Sequence, residues 1–237
     1  MNVGETVQRK NFFKKTRRGK VIRLIREKYI RNDLGMGYMG GNIVTHEKLF
    51  ELVSQAPHKH ILVIDTNVAL SQIDFFEHKT PATSPVIVLQ TVLQELRHLN
   101  ISTYRRMLAL MQDESRSFIF FPNEHCSETA SVRLQNDSDN DFNDRLIRDA
   151  TNLFASVLSA KQLSDSNSDD DEEERGETAG SQCTAILLTN DVANRRFAEK
   201  EGLQCFSIHK YIKKFLREYP ELLDLLTSEV NVAVESA

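Results

Sequence analysis

The sequence is poor in cysteine and has no long hydrophobic run, and each shortage excludes a class of protein. Its three cysteines, Cys126, Cys183 and Cys205, are odd in number and show no CxxC spacing, which predicts free thiols in a reducing compartment and excludes a disulfide set or a zinc site. No apolar run reaches the length of a membrane-spanning helix, and the basic N-terminal region lacks the apolar stretch of a secretory signal. We therefore expect a globular protein with no membrane partner, and 237 residues are enough for one or two domains.

Basic residues are concentrated in one part of the chain, although the net charge of the whole sequence is only −4. Residues 1–31 contain eleven Lys or Arg and two Glu, so they carry +9, and the other residues together carry −13. A basic arm on an acidic body favours a polyanion or an acidic protein surface as partner. Solubilising tails and nuclear-import signals have the same composition, so these explanations stay open at this point.

Residues 1–59 are expected to form a basic N-terminal arm and docking segment. Val21, Leu24, Ile25 and Tyr29 recur at helical spacing, which predicts a helix within the arm. The glycine-rich passage LGMGYMGGNIV predicts a loop, and residues 47–53 predict a short helix.

From His60 onward, strands and helices alternate, which predicts a three-layer α/β fold with a mainly parallel central sheet. The predicted strands are HILVID, PVIVLQ, SFIFFPN, AILLTND and LQCFSIH. Helices are predicted from about residue 91, over 104–111, over 141–163, over 192–202 and over 210–226, the last with a break at Pro220. This domain is expected to span residues 60–237. Its acidic stretch SDSNSDDDEEERGETAGS, residues 164–181, is predicted to be a disordered insertion, because it has too few apolar residues to order itself.

Four carboxylates stand at the ends of predicted elements: Asp65, Glu95, Asp144 and Asp191. Asp65 and Asp191 follow apolar strands directly, at the edge where α/β proteins bind their ligands. Carboxylates that converge there repel one another unless a cation neutralises them. Mg²⁺ and Mn²⁺ prefer oxygen ligands, and such ions activate water for attack on a phosphodiester. The pattern therefore predicts a site for one or two divalent metal ions in a nuclease.

Each of these acids also has a purely structural explanation. Asp65 and Asp191 are well placed to cap the helices that follow them. Asp144 lies near the start of a long helix, where the helix dipole favours any acid. Glu95 fits an exposed helix face. Taken singly, each structural explanation is preferred; taken together, the four positions at one sheet edge favour the metal site.

Other polar residues near the acids allow two interpretations. Asn67, Thr189 and Asn190 fit either carboxylate orientation or the hydrogen bonds of turn backbone, and the second is preferred. Arg195, Arg196 and Lys200 are arranged to meet RNA phosphates or to solvate an exposed face. No histidine stands at a zinc spacing, and a loop or surface role is expected for His46, His58 and His60.

These acids and the sequence motifs around them resemble the PIN-domain nucleases. The resemblance is strongest to the N-terminal region of the catalytic ribonuclease family of the eukaryotic exosome. The resemblance rests on FFKKTRRGKVIRLIREKYIRNDLG, VIDTNVALSQIDFFE, VIVLQTVLQELR, FPNEH, NDFNDRLIRDATN and the TND that follows the fourth strand. It implies a PIN fold, manganese- or magnesium-dependent endonucleolytic cleavage of single-stranded RNA, and docking onto the exosome core in the nucleus. Asp65, Glu95, Asp144 and Asp191 would be the metal-binding acids. The alternative is a docking module that tethers the ribonuclease to the core and to RNA without cutting it.

One departure from the family concerns the segment before the domain. Many members carry a short Cys-rich motif there, which supports association with the core. In this sequence Met36 stands where a cysteine would be expected, so the resemblance implies no zinc or thiol chemistry in that segment.

Overall fold

A seven-stranded sheet forms the centre of the computed structural model, which describes residues 6–79, 84–166 and 182–227. The strand order is β4-β3-β7-β6-β5-β8-β9, in which β3 (Tyr38–Met39) and β4 (Asn42–Ile43) are short, and the five strands β7, β6, β5, β8 and β9 are parallel. These five strands are β5 (His60–Ile64), β6 (Val86–Leu89), β7 (Phe118–Phe121), β8 (Thr184–Leu188) and β9 (Gln204–Phe206). Four of them lie within the predicted runs, and β8 begins one residue before its run, so the predicted α/β fold with a mainly parallel sheet is confirmed.

Helices cover the sheet so completely that all residues of β5 and β6 are buried. Since successive side chains of a strand point to opposite faces, burial of every residue means that both faces are covered. The helices are α1 (His46–Gln55), α2 (Thr66–Ser71), α3 (Ile73–Glu77), α4 (Gln90–Leu99), α5 (Ile101–Gln112), α6 (Asp139–Ser166), α7 (Val192–Lys200) and α8 (Ile208–Phe215). No helix in the described part of the chain is long and apolar enough to cross a membrane.

The helix predicted in the basic arm is wrong, because this segment is a β-hairpin. Strands β1 (Thr6–Lys15) and β2 (Val21–Ile30) pair along their whole length in antiparallel register. Gly19, with φ +79°, supplies the left-handed conformation that closes the turn between them. The apolar residues at positions 21, 24, 25 and 29 have the spacing of a helix. The β-branched residues and the glycine turn nevertheless favour two antiparallel strands of ten residues each.

The glycine-rich passage, predicted as a loop, contributes two short strands to the sheet. They are β3 (Tyr38–Met39) and β4 (Asn42–Ile43), and Tyr38 pairs with Phe120 of β7. Around them, Leu34, Met36 and Val44 are buried in the same core cluster as Ile61 of β5. The core therefore extends on both sides of residue 60, where the sequence analysis divides the chain, and that division remains a prediction.

Two helices were missed, and the predicted bounds of the last helix and of the acidic insertion differ from those observed. Helices α2 and α3 follow β5, and the sequence analysis assigns no helix there. The last predicted helix is split: α8 ends at Phe215, and Pro220 begins a separate 3-10 helix over Pro220–Leu223. Helix α6 continues to Ser166, so the first three residues of the predicted acidic insertion are helical, and residues 167–181 lie outside the described residues.

Candidate active site

Asp65 and Asp191 lie at the carboxyl ends of two neighbouring parallel strands. Strands β5 and β8 pair so that Ile64 stands opposite Leu188, and the Asp65 amide donates to the Leu188 carbonyl at 3.0 Å. Both acids cap helices, as the structural explanation predicted. Asp65 Oδ1 accepts from the Thr66 amide at 2.6 Å, and Asp191 Oδ1 accepts from the Asn194 amide at 2.9 Å. Capping engages one oxygen of each carboxylate with backbone, so it leaves the second oxygen available for another role.

Glu95 and Asp144 come from helices α4 and α6, and their surroundings differ. Both oxygens of Glu95 accept hydrogen bonds, Oε2 from the Thr66 hydroxyl and Oε1 from Asn143 Nδ2 at 2.7 Å. Asp144 accepts no hydrogen bond or ion pair from the residues that the structure describes. Glu95 is thus held rigidly, whereas Asp144 is a half-buried carboxylate that nothing in the described chain satisfies.

The four acids lie close enough to perturb one another's ionisation. Burial, which is the largest cause, and the negative charges of Asp65, Asp191 and Glu95 together raise the pKa of Asp144 to about 7, against the opposing effect of Arg148. Burial also raises the pKa of Asp65, with hydrogen bonds opposing that rise and the charge of Glu95 adding to it. Ionised carboxylates this close together at a buried edge of the sheet repel one another and destabilise the fold, unless one is protonated or a cation binds. The structure therefore brings the four predicted acids into one electrostatic neighbourhood, while their metal-binding role remains a prediction.

Asn67 performs both of the roles that the sequence left open. Its Nδ2 donates to Asp65 Oδ2 at 2.9 Å and to the Thr189 hydroxyl at 3.2 Å, and its Oδ1 accepts from the Asn190 amide at 3.0 Å. It therefore orients a carboxylate and satisfies turn backbone at once. Asn190 has a backbone role only among its described contacts, since its Oδ1 accepts from the Ile208 amide at 3.2 Å.

Four residues around these acids were not predicted from the sequence. Thr66, Asn143 and Asn194 contact the acids directly, and Arg148 contacts Asn194. Asn194 Nδ2 donates to Asp65 Oδ2 at 3.2 Å. Arg148 in turn donates to Asn194 Oδ1 at 2.9 Å. Helical spacing is the signal that was available, because Asn194 follows Asp191 by three positions and Arg148 follows Asp144 by four.

The basic and histidine candidates have mixed outcomes. Arg195 is partly buried and donates to the Thr189 carbonyl at 2.7 Å, which is a structural role, whereas Arg196 and Lys200 are exposed. The surface role expected for His60 is wrong: this side chain is 1% exposed, and its Nε2 lies 2.9 Å from the Tyr211 hydroxyl. His60 begins β5, whose position in the middle of the sheet buries it.

The chemistry of the donor set fits an open divalent-cation site. Among the described residues, no three acidic, histidine or cysteine side chains are grouped as a ready-made cage for a metal ion. Mg²⁺ and Mn²⁺ do not require one, since they keep several water ligands and are held by one or two carboxylates. Three groups would hold such an ion: Asp144, which has no hydrogen-bond partner among the described residues, the second oxygen of Asp191, and the Asp65 carboxylate of the same acidic cluster.

Known proteins with similar sequences are named exosome complex exonucleases. The chain is 36% identical over 234 residues to Exosome complex exonuclease RRP44 of Mus musculus, covering 94% of this chain and 22% of that protein. It is 37% identical over 238 residues to the Homo sapiens protein of the same name, covering 96% and 23%. It is 30% identical over 241 residues to Exosome complex exonuclease dis3 of Schizosaccharomyces pombe, covering 94% and 22%. The chain thus spans about a fifth of the length of these relatives.

Comparison with solved structures and with family models agrees with this result. The structure of the T. brucei RRP44 PIN domain superimposes with a TM-score of 0.54 at 20% identity, covering 72% of this chain and 87% of that chain, which establishes the fold. The family model described as PIN domain matches residues 62–209. Since that match covers more than half of the sequence, the chain belongs to the PIN domain family.

Proposed function

We propose that this chain is an endoribonuclease domain that cleaves single-stranded RNA with Mg²⁺ or Mn²⁺. The observation that carries the proposal is the state of Asp144. Its carboxylate is half-buried, lacks a partner in the described chain, and has a pKa raised to about 7 by burial and by three other acids. Such a group gains most from a bound cation. A hard cation among oxygen ligands, at the carboxyl edge of a parallel sheet, suits phosphodiester cleavage.

The residues around the site would have different roles in binding and orientation. When bound, the metal ion would supply positive charge to the phosphoryl oxygens and lower the pKa of a water ligand. Asp144 and Asp191 would hold it through their uncommitted oxygens, and Asp65, oriented by Asn67 and Asn194, would be a further ligand. Thr66 and Asn143 keep Glu95 in one orientation, so that its negative charge stays at the site.

The names of the relatives support a place in the exosome. They are called exosome complex exonucleases, so we propose that the domain belongs to a nuclease of that complex, with RNA and core subunits as partners and the nucleus as its location. One observation favours the second candidate function, a docking module. The β1–β2 hairpin exposes apolar side chains beside its cations, including Phe13, which is 73% exposed, and Ile25, which is 54% exposed. A protein surface would cover such groups.

Circular single-stranded RNA tests the proposal, because exonucleases require an end. We expect linear products with Mn²⁺ and none with EDTA. Asp144→Asn and Asp65→Asn should each abolish linearisation while circular dichroism shows a folded protein. Asp113→Asn is the matched control: it removes an acid that follows α5, next to the start of β7 at the opposite end of the sheet, and should cut at the wild-type rate.

Two results would contradict the proposal in different ways. Undiminished cutting by Asp144→Asn would mean that the nuclease activity does not use these acids. An intact circle after incubation of the folded wild type with Mn²⁺ would favour the docking module instead.

A further inference from the structure

A buried arginine next to the acidic site has a role that core packing does not explain. Arg148 lies on α6, one turn after Asp144, and is only 7% exposed. Its Nε donates to Glu201 Oε1 at 2.9 Å, its Nη1 donates to Asn194 Oδ1 at 2.9 Å, and its guanidinium lies 5.3 Å from the ring centroid of Phe197. A buried guanidinium is retained only where its donors are used, because its desolvation is costly.

Asn194 connects this arginine to two of the four acids. It is completely buried, in the first turn of α7. Its Nδ2 donates to Asp65 Oδ2 at 3.2 Å, and its backbone amide donates to Asp191 Oδ1 at 2.9 Å. One residue therefore contacts the acids that end β5 and β8.

Arginine determines which way the Asn194 amide points. A guanidinium has donors and no acceptor, so the amide oxygen must face Arg148. The amide nitrogen then faces Asp65, where it can only donate to the carboxylate. If Arg148 were absent, the amide could turn over and present its oxygen to Asp65, which would repel the carboxylate instead of holding it.

We propose that Arg148 and Asn194 are a positioning pair that fixes the Asp65 carboxylate, and with it the metal ion. This inference rests on the proposed function. The pair touches neither the RNA nor the scissile phosphate, and it acts through Asp65. Glu201 and the Phe197 ring hold the guanidinium from the other side. A chain of contacts therefore connects the C-terminal end of α7 to the Asp65 carboxylate at the end of β5.

The binding of Mn²⁺, measured by electron paramagnetic resonance of the free ion, provides a test that does not depend on cleavage. Arg148→Met preserves the length of the side chain and removes its donors. We expect it to weaken Mn²⁺ binding by about 10- to 100-fold, the usual effect of removing a group that orients a metal ligand. Arg148→Lys keeps the charge and a donor for Asn194 Oδ1, so it should weaken binding by less. In cleavage measured over a range of RNA concentrations, Arg148→Met should show a lowered kcat and an unchanged KM, and higher Mn²⁺ should restore its rate.

Arg116→Met is the control for loss of a partly buried arginine whose donors are used within the chain. Arg116 also binds within the chain, donating to the carbonyls of Phe76 and Glu77, but it lies beside the start of β7, away from the acids. It should lower the melting temperature and leave Mn²⁺ affinity within about twofold of wild type, in contrast to the orienting effect expected at the site. If Arg148→Met does not fold, Asn194→Leu takes its place, with the same expected weakening.

The outcomes separate this inference from the function on which it rests. If wild type binds Mn²⁺ and both Arg148→Met and Asn194→Leu bind it equally well, the positioning pair is overturned and the nuclease proposal stands. If wild type binds no Mn²⁺, the proposed function is overturned and the pair has no metal ligand to position.

Discussion

Asn143 donates a 2.7 Å hydrogen bond to Glu95, although the two residues are 48 positions apart and belong to different helices. This contact joins α4 to α6 at the point where the acids converge. Together with the Thr66 hydroxyl, it occupies both oxygens of Glu95. The orientation of this acid therefore depends on the neighbouring side chains as much as on its own helix.

Loss of this contact should slow catalysis more than it weakens RNA binding. In Asn143→Ala we expect kcat to fall about 10-fold and KM for RNA to stay the same, because a hydrogen bond to a charged group contributes roughly 1.5–3 kcal/mol. Steady-state cleavage of a fluorescent single-stranded RNA measures both constants. Asn136→Ala, an exposed asparagine in the preceding loop, is the control, and an equal loss of rate there would refute the role of Asn143.

Removing the charge of Asp144 should stabilise the metal-free protein at neutral and basic pH. The pKa of this group is about 7 in the folded state, compared with an ordinary value of 3.8, so its contribution to stability is full below pH 3.8 and is lost as pH rises through 7. With EDTA at pH 8, Asp144→Asn should therefore melt about 2–4 °C above wild type, which corresponds to roughly 1 kcal/mol after allowance for solvent screening. At pH 4 the variant and the wild type should have the same melting temperature. Thermal unfolding at both pH values tests this, and a lower melting temperature of the variant at pH 8 would contradict it.

His60 should make the fold sensitive to mild acid. Burial, with a smaller effect of the charges on His58 and Lys214, lowers its pKa from 6.5 to about 4. A depressed pKa contributes stability that is full above pH 6.5 and is lost as pH falls through 4. We expect wild type to lose about 2–3 kcal/mol over that interval from this group, and His60→Gln to lose less. Urea unfolding at pH 7 and pH 4.5 gives both differences, and equal losses in the two proteins would rule out His60 as the cause.

Gly37 should be intolerant of any side chain. Its φ is +102°, and a Cβ atom there would lie 2.4 Å from the Phe120 carbonyl oxygen, in the backbone of β7. Gly37→Ala should therefore cost about 2 kcal/mol or more, by pushing β3 off the sheet. Gly40→Ala is the matched control, since Gly40 also has positive φ but no atom within 4 Å of the added Cβ. Denaturant titration should show the smaller loss for Gly40→Ala.

The tip of the basic hairpin should contribute to RNA binding through charge. Arg17, Arg18 and Lys20 are exposed in the turn between β1 and β2. Each phosphate that a cation neutralises adds about 0.7 to the slope of log affinity against log salt for single strands, so changing all three to Gln should reduce the slope by about 2. Fluorescence anisotropy from low to moderate salt measures it. An unchanged slope would assign the hairpin to a protein partner.

Much of the fold could be predicted because its signals are local. The apolar runs of β5, β6 and β8 are buried on both faces, and that composition is what a central parallel strand requires. The hairpin could not be predicted in the same way. Its apolar spacing fits a helix as well as a strand, and only the pairing of residues 6–15 with residues 21–30 decides between them. The strands of the glycine-rich passage could not be predicted for a similar reason. They form by pairing with other strands, and β3 pairs with β7.

By itself, the sequence determined the choice of four acids that the fold brings together, and their metal-binding role remains a prediction. Asp65, Glu95, Asp144 and Asp191 follow from residue type and position, since parallel strands bring their carboxyl ends to one edge. Only the tertiary structure decided how these acids are held. Asn143, Asn194 and Arg148 resemble ordinary helix residues in the sequence, and they reach the acids only because α4, α6 and α7 pack around the ends of β5 and β8. Hydrogen bonds between distant segments depend on distances of a few tenths of an ångström, and such distances exist only in the folded chain.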